Sequence, residues 1–209
     1  VQDGLTEAKR RIEEARRLGS EVLDLGDLGL AELPAELGQL RHLRRLYLGN
    51  FRPTGDGGRE WDDTREPGQF TDLSPLSGLV GLRSLDLAGT GVVDVSPLSG
   101  LAGLQSLYLS GTGVVDVSPL SRLHNLKVLH LYGIRPAVPV VMLRRLAELP
   151  RLTVLYADRA TAAPREVLSR DHSANCLPRL RTYLAELDFG AESENEVKVI
   201  LLGNGWVGK

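Results

Sequence analysis

Leucines along this chain fall in triplets spaced three and then two apart, L-x-x-L-x-L, and the triplets recur. LRSLDLAGTGVVDVSPLSGLAG (82–103) is followed at once by LQSLYLSGTGVVDVSPLSRLHN (104–125), a period of 22 in which the apolar positions coincide throughout. The second and third leucines of each triplet straddle one residue, which is the spacing of a short strand. Both leucines then point to one side and the residue between them to the other. The rest of each unit returns along the opposite side and buries leucines such as Leu98 and Leu101. One unit cannot cover its own apolar face, so the pattern predicts stacked units around a parallel sheet, each contacting mainly the next. Aligning the central leucine gives Leu23, Leu46, Leu85, Leu107, Leu129 and Leu155.

A fixed period of this length with this triplet resembles the leucine-rich repeat family over about residues 20–160. The expected fold is an α/β repeat, a leucine-rich-repeat solenoid (horseshoe) with helical caps at both ends. The first two units are of a different kind, with an LPxxLxxL return at LPAELGQL (33–40), which implies an extended and then partly helical outer segment. The middle units carry DxSPLxxL, where Pro75, Pro97 and Pro119 are placed to start short 3₁₀ turns. Thr90, Thr112 and Ile134 stand where the family often has asparagine. Threonine can still bond loop backbone and isoleucine cannot, so a side-chain ladder there is expected to be incomplete.

Two stretches break the period. FRPTGDGGREWDDTREPGQF (51–70) is rich in Gly, Pro and charge and reads as a loop thrown out of the second unit. Trp61 within it reads either as an exposed binding anchor or as a ring folded back on the solenoid. PAVPVVMLRRLAELP (136–150) has helical spacing, with Val141, Leu143 or Met142, and Leu146 turned inward. The ends read as caps. Residues 1–19 form a charged helix with Leu5, Ala8, Ile12 and Ala15 on one face, surface pairs Lys9–Glu13 and Arg10–Glu14, and Gly19 as its stop. Residues 161–190 form a C-terminal cap in which LPRLRTYLAELDFG is read as a helix with a Leu180, Tyr183, Leu184, Leu187 stripe ending at Gly190. LPRLRTYL also echoes LPRLTVLY at 149–156, so a seventh repeat strand is the competing reading. Residues 191–196 (AESENE) read as an acidic linker.

Composition narrows the function. Of 209 residues 42% are apolar and 25% charged, the balance of a cored domain, and the net charge of −2 argues against a nucleic-acid or anionic-membrane surface. The one cysteine, Cys176, gives no disulfide framework and no thiolate metal site, and it reads as a half-buried packing thiol. No run approaches the roughly 18 apolar residues of a membrane span. The first turns are charged rather than an apolar leader core, and the absence of cysteine pairs makes a cytoplasmic location the expectation. The start at Val1 rather than Met leaves a removed leader open.

The last thirteen residues change the picture. KVILL (198–202) is a strand-like apolar run, and Gly203, Gly208 and Lys209 then fit GxxxxGK, the start of a phosphate-binding loop. Such a loop cradles phosphates with successive backbone N–H groups while its lysine reaches the β- and γ-phosphates. Charged cap helix, mixed LPxxL and DxSPL repeats, a YLxxLxxG helix and then NEVKVILLGNGWVGK together resemble a bacterial Roco protein. That family sets leucine-rich repeats directly before a Roc GTPase domain and a COR dimerisation domain. The resemblance implies that residues 197–209 are the first strand and truncated P-loop of a Roc domain. It also implies that Gly203, Asn204, Gly205, Trp206, Val207, Gly208 and Lys209 would contact nucleotide in the intact parent. GTP or GDP with Mg is implied for that parent. Trp206 is bulkier than the family's usual residue, and the Ser or Thr magnesium ligand does not follow Lys209 in this sequence. This piece alone is therefore expected not to hydrolyse GTP and to be monomeric, with homodimerisation left to the parent.

The repeat geometry also nominates a surface. The residue between the strand leucines faces the concave side and is, in order, Asp24, Tyr47, Asp86, Tyr108, His130 and Tyr156, with Arg45, Val128, Tyr132 and Asp158 beside it. A column of three tyrosines and a histidine is the amphipathic stripe of a protein interface. Expected partners are other proteins or the Roc–COR domains of the same polypeptide. Catalysis has little support: His42, His124, His130 and His172 are scattered without a matched nucleophile. Asp86 beside Tyr108 and His130 lies on an open face rather than in a pocket. A GTP-hydrolysing signalling protein and a free-standing leucine-rich-repeat effector or adhesin are the alternative readings.

Overall fold

A computed structural model describes residues 2–56, 58–135, 138–158, 163–169 and 174–193. The nucleotide-loop residues Gly203, Asn204, Gly205, Trp206, Val207, Gly208 and Lys209, the strand before them and His172 lie outside the described residues.

The leucine triplets form the strands β1 (Val22–Asp24), β2 (Arg45–Tyr47), β5 (Ser84–Asp86), β6 (Ser106–Tyr108), β7 (Val128–His130) and β8 (Val154–Tyr156), which make one parallel sheet in that order. Its register places Leu23, Leu46, Leu85, Leu107, Leu129 and Leu155 on a single line. Each of these six is buried, and so are the returning leucines Leu76, Leu98, Leu101, Leu120 and Leu123, so one continuous core runs the length of the stack. At about 1.5–3 kcal/mol for each buried leucine, this layer is the main source of stability.

The return segments follow from DxSPL. Pro sits at the start of 3₁₀ turns at Ser74–Leu76, Ser96–Gly100 and Ser118–Arg122. Before each turn an aspartate accepts the serine amide, Asp72 from Ser74, Asp94 from Ser96 and Asp116 from Ser118, each at 2.8 Å. The serine hydroxyl, leading at Asp94 and Asp116, and the serine amide, leading at Asp72, together hold the three carboxyls below the ordinary carboxylate range. The threonines do bond loop backbone: Thr90 and Thr112 donate to the carbonyls of Leu87 and Leu109 at 2.6 Å and are buried. Ile134 is buried as a core side chain instead.

Helix α1 (Gln2–Leu18) closes the first unit with Ala8, Ile12 and Ala15 buried and Leu5 half-buried. Gly19 ends it at φ 63°, a conformation that favours glycine. Arg10 pairs with Glu14 at 2.9 Å as expected, but Lys9 reaches across to Glu36 at 3.3 Å rather than pairing with Glu13. That contact, with Arg11 bonded to the Asp24 carbonyl at 3.0 Å, ties the cap to the repeats.

Helix α2 (Val140–Ala147) buries Leu143, Leu146 and Ala147 and half-buries Met142. Val141 is 65% exposed, contrary to the sequence expectation, because the face fixed by Leu143 and Leu146 leaves it on the opposite side. The competing strand reading at 177 is decided in favour of α3 (Leu177–Ser193), which runs through Gly190 and takes up the first residues expected in the linker. Leu180 and Leu184 are buried, while Tyr183 and Leu187 are half-buried. The end of the sheet is closed by the backbone amides of Ser169 and Cys176, which donate to the Ala157 and Leu155 carbonyls at 2.7 and 2.9 Å, and by two side chains. Asn175 accepts the Leu155 amide at 3.0 Å and donates to the Thr153 carbonyl at 2.9 Å, and the Ser169 hydroxyl accepts the Ala157 amide at 3.1 Å. An open strand edge is thereby blunted. Cys176 is fully buried rather than half-buried, a free thiol against this closure.

The loop thrown out of the second unit, residues 51–70, begins as a hairpin and ends in an irregular stretch. Strands β3 (Phe51–Pro53) and β4 (Arg59–Trp61) pair antiparallel as a hairpin, Phe51 opposite Trp61 and Pro53 opposite Arg59. Phe70, 1% exposed, then returns the chain to the core.

Candidate functional site

The sheet register puts Asp24, Tyr47, Asp86, Tyr108, His130 and Tyr156 on one line across the face opposite the core. That line is not uniformly accessible. Tyr47, Asp86 and Tyr108 are buried, at 3%, 1% and 0% exposure, while His130 and Tyr156 are half-buried. The hairpin is the cause, because it lies over the middle of the face. The Phe51 ring sits 5.2 Å from that of Tyr108 and 6.5 Å from that of His130. Trp61 packs edge-on against Phe51 at 5.2 Å, and the Arg59 guanidinium stands 4.0 Å from the Tyr108 ring centre. The stack continues beyond the hairpin, Tyr108 to His130 at 4.6 Å and His130 to Tyr156 at 4.1 Å. Tyr47, Asp86 and Tyr108, expected on the open face, are thus covered by a segment of the same chain. Val128, Tyr132 and Asp158 are half-buried and lie with Tyr156 on the later units, and His130 stands between the hairpin's Phe51 ring and Tyr156. Trp61 packs on the hairpin's own phenylalanine and stays 46% exposed, with its indole N–H bonded to Asp63.

The hairpin is fastened at its root by charge. Asp86 accepts the Phe51 amide with Oδ2 and the Ala88 amide with Oδ1, both at 2.9 Å. Arg65, itself buried, donates to the Phe51 carbonyl at 2.7 Å and to the Asp24 carboxylate, with Asp27 at 3.8 Å. Burial pushes the Asp86 carboxyl up to about 7, against the pull of the Ala88 and Phe51 amides and of Arg65. Burial likewise raises the Tyr108 and Tyr47 hydroxyls, opposed by Arg59 at the first and Arg45 and Arg59 at the second.

Asp86 sets a pH dependence. Its folded-state value lies above the ordinary 3.8, so the folded protein holds this proton more tightly than the unfolded chain does. The resulting stabilisation is complete below about pH 4 and is lost as the pH rises through about 7. Asp72, Asp94 and Asp116 have the opposite sign and act below that window. Asp86→Asn is therefore expected to flatten the fall in urea midpoint between about pH 5 and pH 8, at a lower stability overall. An unchanged slope would contradict the assignment.

Beside Tyr47 the hairpin tip and the sheet edge enclose a cleft of about 410 Å³. Arg44, Arg45, Arg59 and Arg83 line it, and Glu21 is its one acid. Among the described residues no cluster of three or more His, Cys, Asp or Glu converges on a metal-sized position. Nor is any helix among them long and apolar enough to cross a membrane. The sequence reading missed Phe51, Arg59 and Arg65 as site residues. The available signal was FRP and REW flanking the turn-rich TGDGG, two short runs about a hairpin tip.

No family model matches the chain, and no curated protein matches it. Among solved structures it is similar to an internalin C2 of Listeria monocytogenes, at 27% identity over 72% of this chain and 71% of that one, with a TM-score of 0.48. It is also similar to an internalin, inlF, of the same organism, at 24% identity and a TM-score of 0.44. That alignment takes in 61% of this chain but spans only 38% of the internalin's length. The unbroken line from Leu23 to Leu155, with its 3₁₀ and helical returns, makes the described part of this chain an α/β leucine-rich-repeat solenoid.

Proposed function

We propose that this chain is a protein-interaction module whose partner seats on the part of the sheet face beyond the hairpin. The observation that carries this reading is the aromatic stack that runs out from under Phe51 through Tyr108 and His130 to Tyr156. Its inner end is packed and its outer end is half-exposed, so the outer rings are held rigid by neighbours and lose little entropy on binding. Val128, Tyr132 and Asp158 frame them. A photo-reactive phenylalanine at Tyr156 tests it, compared with the same group at exposed Arg145 on α2. Capture of a discrete protein from position 156 and not from 145 is expected; equal capture at both, or none, would sink the reading.

The finer reading is that the module belongs to a Roco-type GTPase, with Roc–COR domains as partners in the same polypeptide and GTP or GDP with Mg bound by that parent. Its support is the sequence alone: the repeat-to-VKVILLGNGWVGK junction and the GxxxxGK spacing of Gly203, Gly208 and Lys209. The test is guanine-nucleotide binding and hydrolysis by the natural polypeptide with residues 1–190 present or deleted. Loss in Lys209→Ala, with hydrolysis altered by the deletion, would uphold it. Absence of nucleotide binding would make the terminal motif a coincidence and leave a plain repeat scaffold.

A further inference from the structure

The strands carry a second row outside the aromatic column. Successive backbone bonds run from Arg44 N to Glu21 O, Arg83 N to Arg44 O, Gln105 N to Arg83 O and Lys127 N to Gln105 O, each at 2.8 Å. Glu21, Arg44, Arg83, Gln105 and Lys127 are therefore laddered across one edge of the face, a strand spacing of about 4.8 Å apart. Three of the five are cations. Arg45 and the hairpin's Arg59 add two more guanidiniums at the cleft; the one carboxylate among its described lining residues, Glu21, pairs at 3.9 Å with Arg44, which leaves Arg83 and Arg59 facing an entering anion. The nearby acids are already engaged. Glu60 and Asp62 pair with Arg52, and Asp24 and Asp27 with Arg65 and Arg11.

Two of the cleft's arginines are held in place. Arg44 donates to the Gly81 carbonyl at 2.8 Å, and Arg59 lies on the Tyr108 and Phe51 rings at 4.0 and 5.6 Å. Arg83 is exposed, and its carbonyl and amide are both spent in the ladder, so its backbone is fixed while its side chain faces solvent. Guanidiniums fixed in this way match carboxylate geometry with two parallel N–H donors. Like charges gathered in one cleft raise the free energy of the empty site and lower it when an anion enters.

We infer that this arginine cleft binds an acidic segment of a partner protein, Asp or Glu side chains entering between Arg83 and the hairpin's Arg59 while the partner continues along the ladder toward His130 and Tyr156. The inference rests on the protein-interaction reading and adds the chemistry of the partner. Charge complementarity selects the occupant: the chain's net charge is −2, yet this edge is basic. The column that continues from the cleft is aromatic, suiting a polypeptide with apolar side chains.

The experiment titrates the protein with a fluorescein-labelled seven-residue glutamate peptide, with a glutamine peptide and with a short single-stranded DNA. Wild type is expected to bind the glutamate peptide, to bind the glutamine peptide far more weakly, and to prefer the peptide to the DNA. Arg83→Ala should weaken peptide binding by roughly tenfold, the value of one charge-assisted bond, and Arg83→Glu should abolish it. Arg122→Ala, an exposed cation outside the cleft, should change nothing. Because Arg83 is exposed, thermal midpoints of its variants should match wild type, which separates binding from folding. Equal binding by Arg83→Glu and wild type, or preference for the DNA, would overturn the inference. Photo-capture at position 156 that survives Arg83→Glu would overturn it while leaving the interaction reading intact. Peptide binding without capture at 156 would sink that reading and leave the cleft standing.

Discussion

Arg65→Ala is expected to be the most damaging single loss of a polar group in this chain. The Arg65 side chain is 4% exposed and supplies the cation for Asp24, Asp27 and the field around Asp86, as well as the donor for the Phe51 carbonyl. Removing one partner of a buried pair costs about 3–5 kcal/mol when the other charge stays buried. Here Asp24 and Asp27 retain 27% and 47% side-chain exposure and can rehydrate, which puts the expected cost nearer about 3 kcal/mol. Asp86 cannot rehydrate, so its carboxyl should titrate still higher in the variant. Arg52→Ala is the contrast. Its ion pairs with Glu60 and Asp62 lie at the surface, with the arginine 54% exposed, and surface pairs contribute about 0–1 kcal/mol. Urea denaturation of both variants separates the two roles. A cost for Arg65→Ala no greater than for Arg52→Ala would show that the hairpin root is not held as described.

Gly49→Ala is expected to be nearly as severe, for a steric reason. A Cβ at Gly49 would run into the backbone N and O of Ala88 and approach Asp86 Oδ2 to 2.9 Å. Backbone on the neighbouring strand cannot yield, since Asn50 N donates to Ala88 O at 3.1 Å and Leu48 N to Asp86 O at 3.0 Å. The methyl must push the second and third units apart at the point where the hairpin leaves the sheet. Overpacking strain with at least one broken bond comes to about 2–4 kcal/mol. Gly100→Ala is the control: nothing lies within 4 Å of its Cβ position, so a neutral or slightly stabilising change is expected. Thermal midpoints of the two variants decide it, and equal midpoints would contradict the close approach.

These two residues mark the boundary of what the sequence could disclose. The line from Leu23 to Leu155 was legible because a period of 22 fixes which side of each strand a leucine takes, whatever lies elsewhere. Pro75, Pro97 and Pro119 were legible as turn starts for the same local reason. Phase was harder. Val141 and Leu143 both fit a helix pattern, and packing of Leu143 and Leu146 against the last units chose between them. The cover over Tyr108 was not legible at all as a contact. Phe51 meets Tyr108 only because the hairpin that leaves the second unit folds back across the third unit onto the fourth. The same holds for Asp86, which alternation places on the outer face and the hairpin then buries. Asn175 was missed because closing a strand edge needs only one amide at the right point in space and leaves no periodic trace.

The central claim is that the β3–β4 hairpin docks on the sheet face through Asp86 and buries Tyr108, while the His130–Tyr156 end of the aromatic stack stays half-exposed. Amide hydrogen exchange at Phe51 tests it most directly, because that N–H has one described acceptor, the Asp86 carboxylate. Slow exchange at Phe51 in wild type is predicted, with protection lost at Phe51 and Ala88 in Asp86→Ala while Leu107 and Leu129 stay protected. Exchange at Phe51 at the rate of an unstructured peptide would mean that the hairpin does not cover the face, and that Tyr108 is open to partners after all.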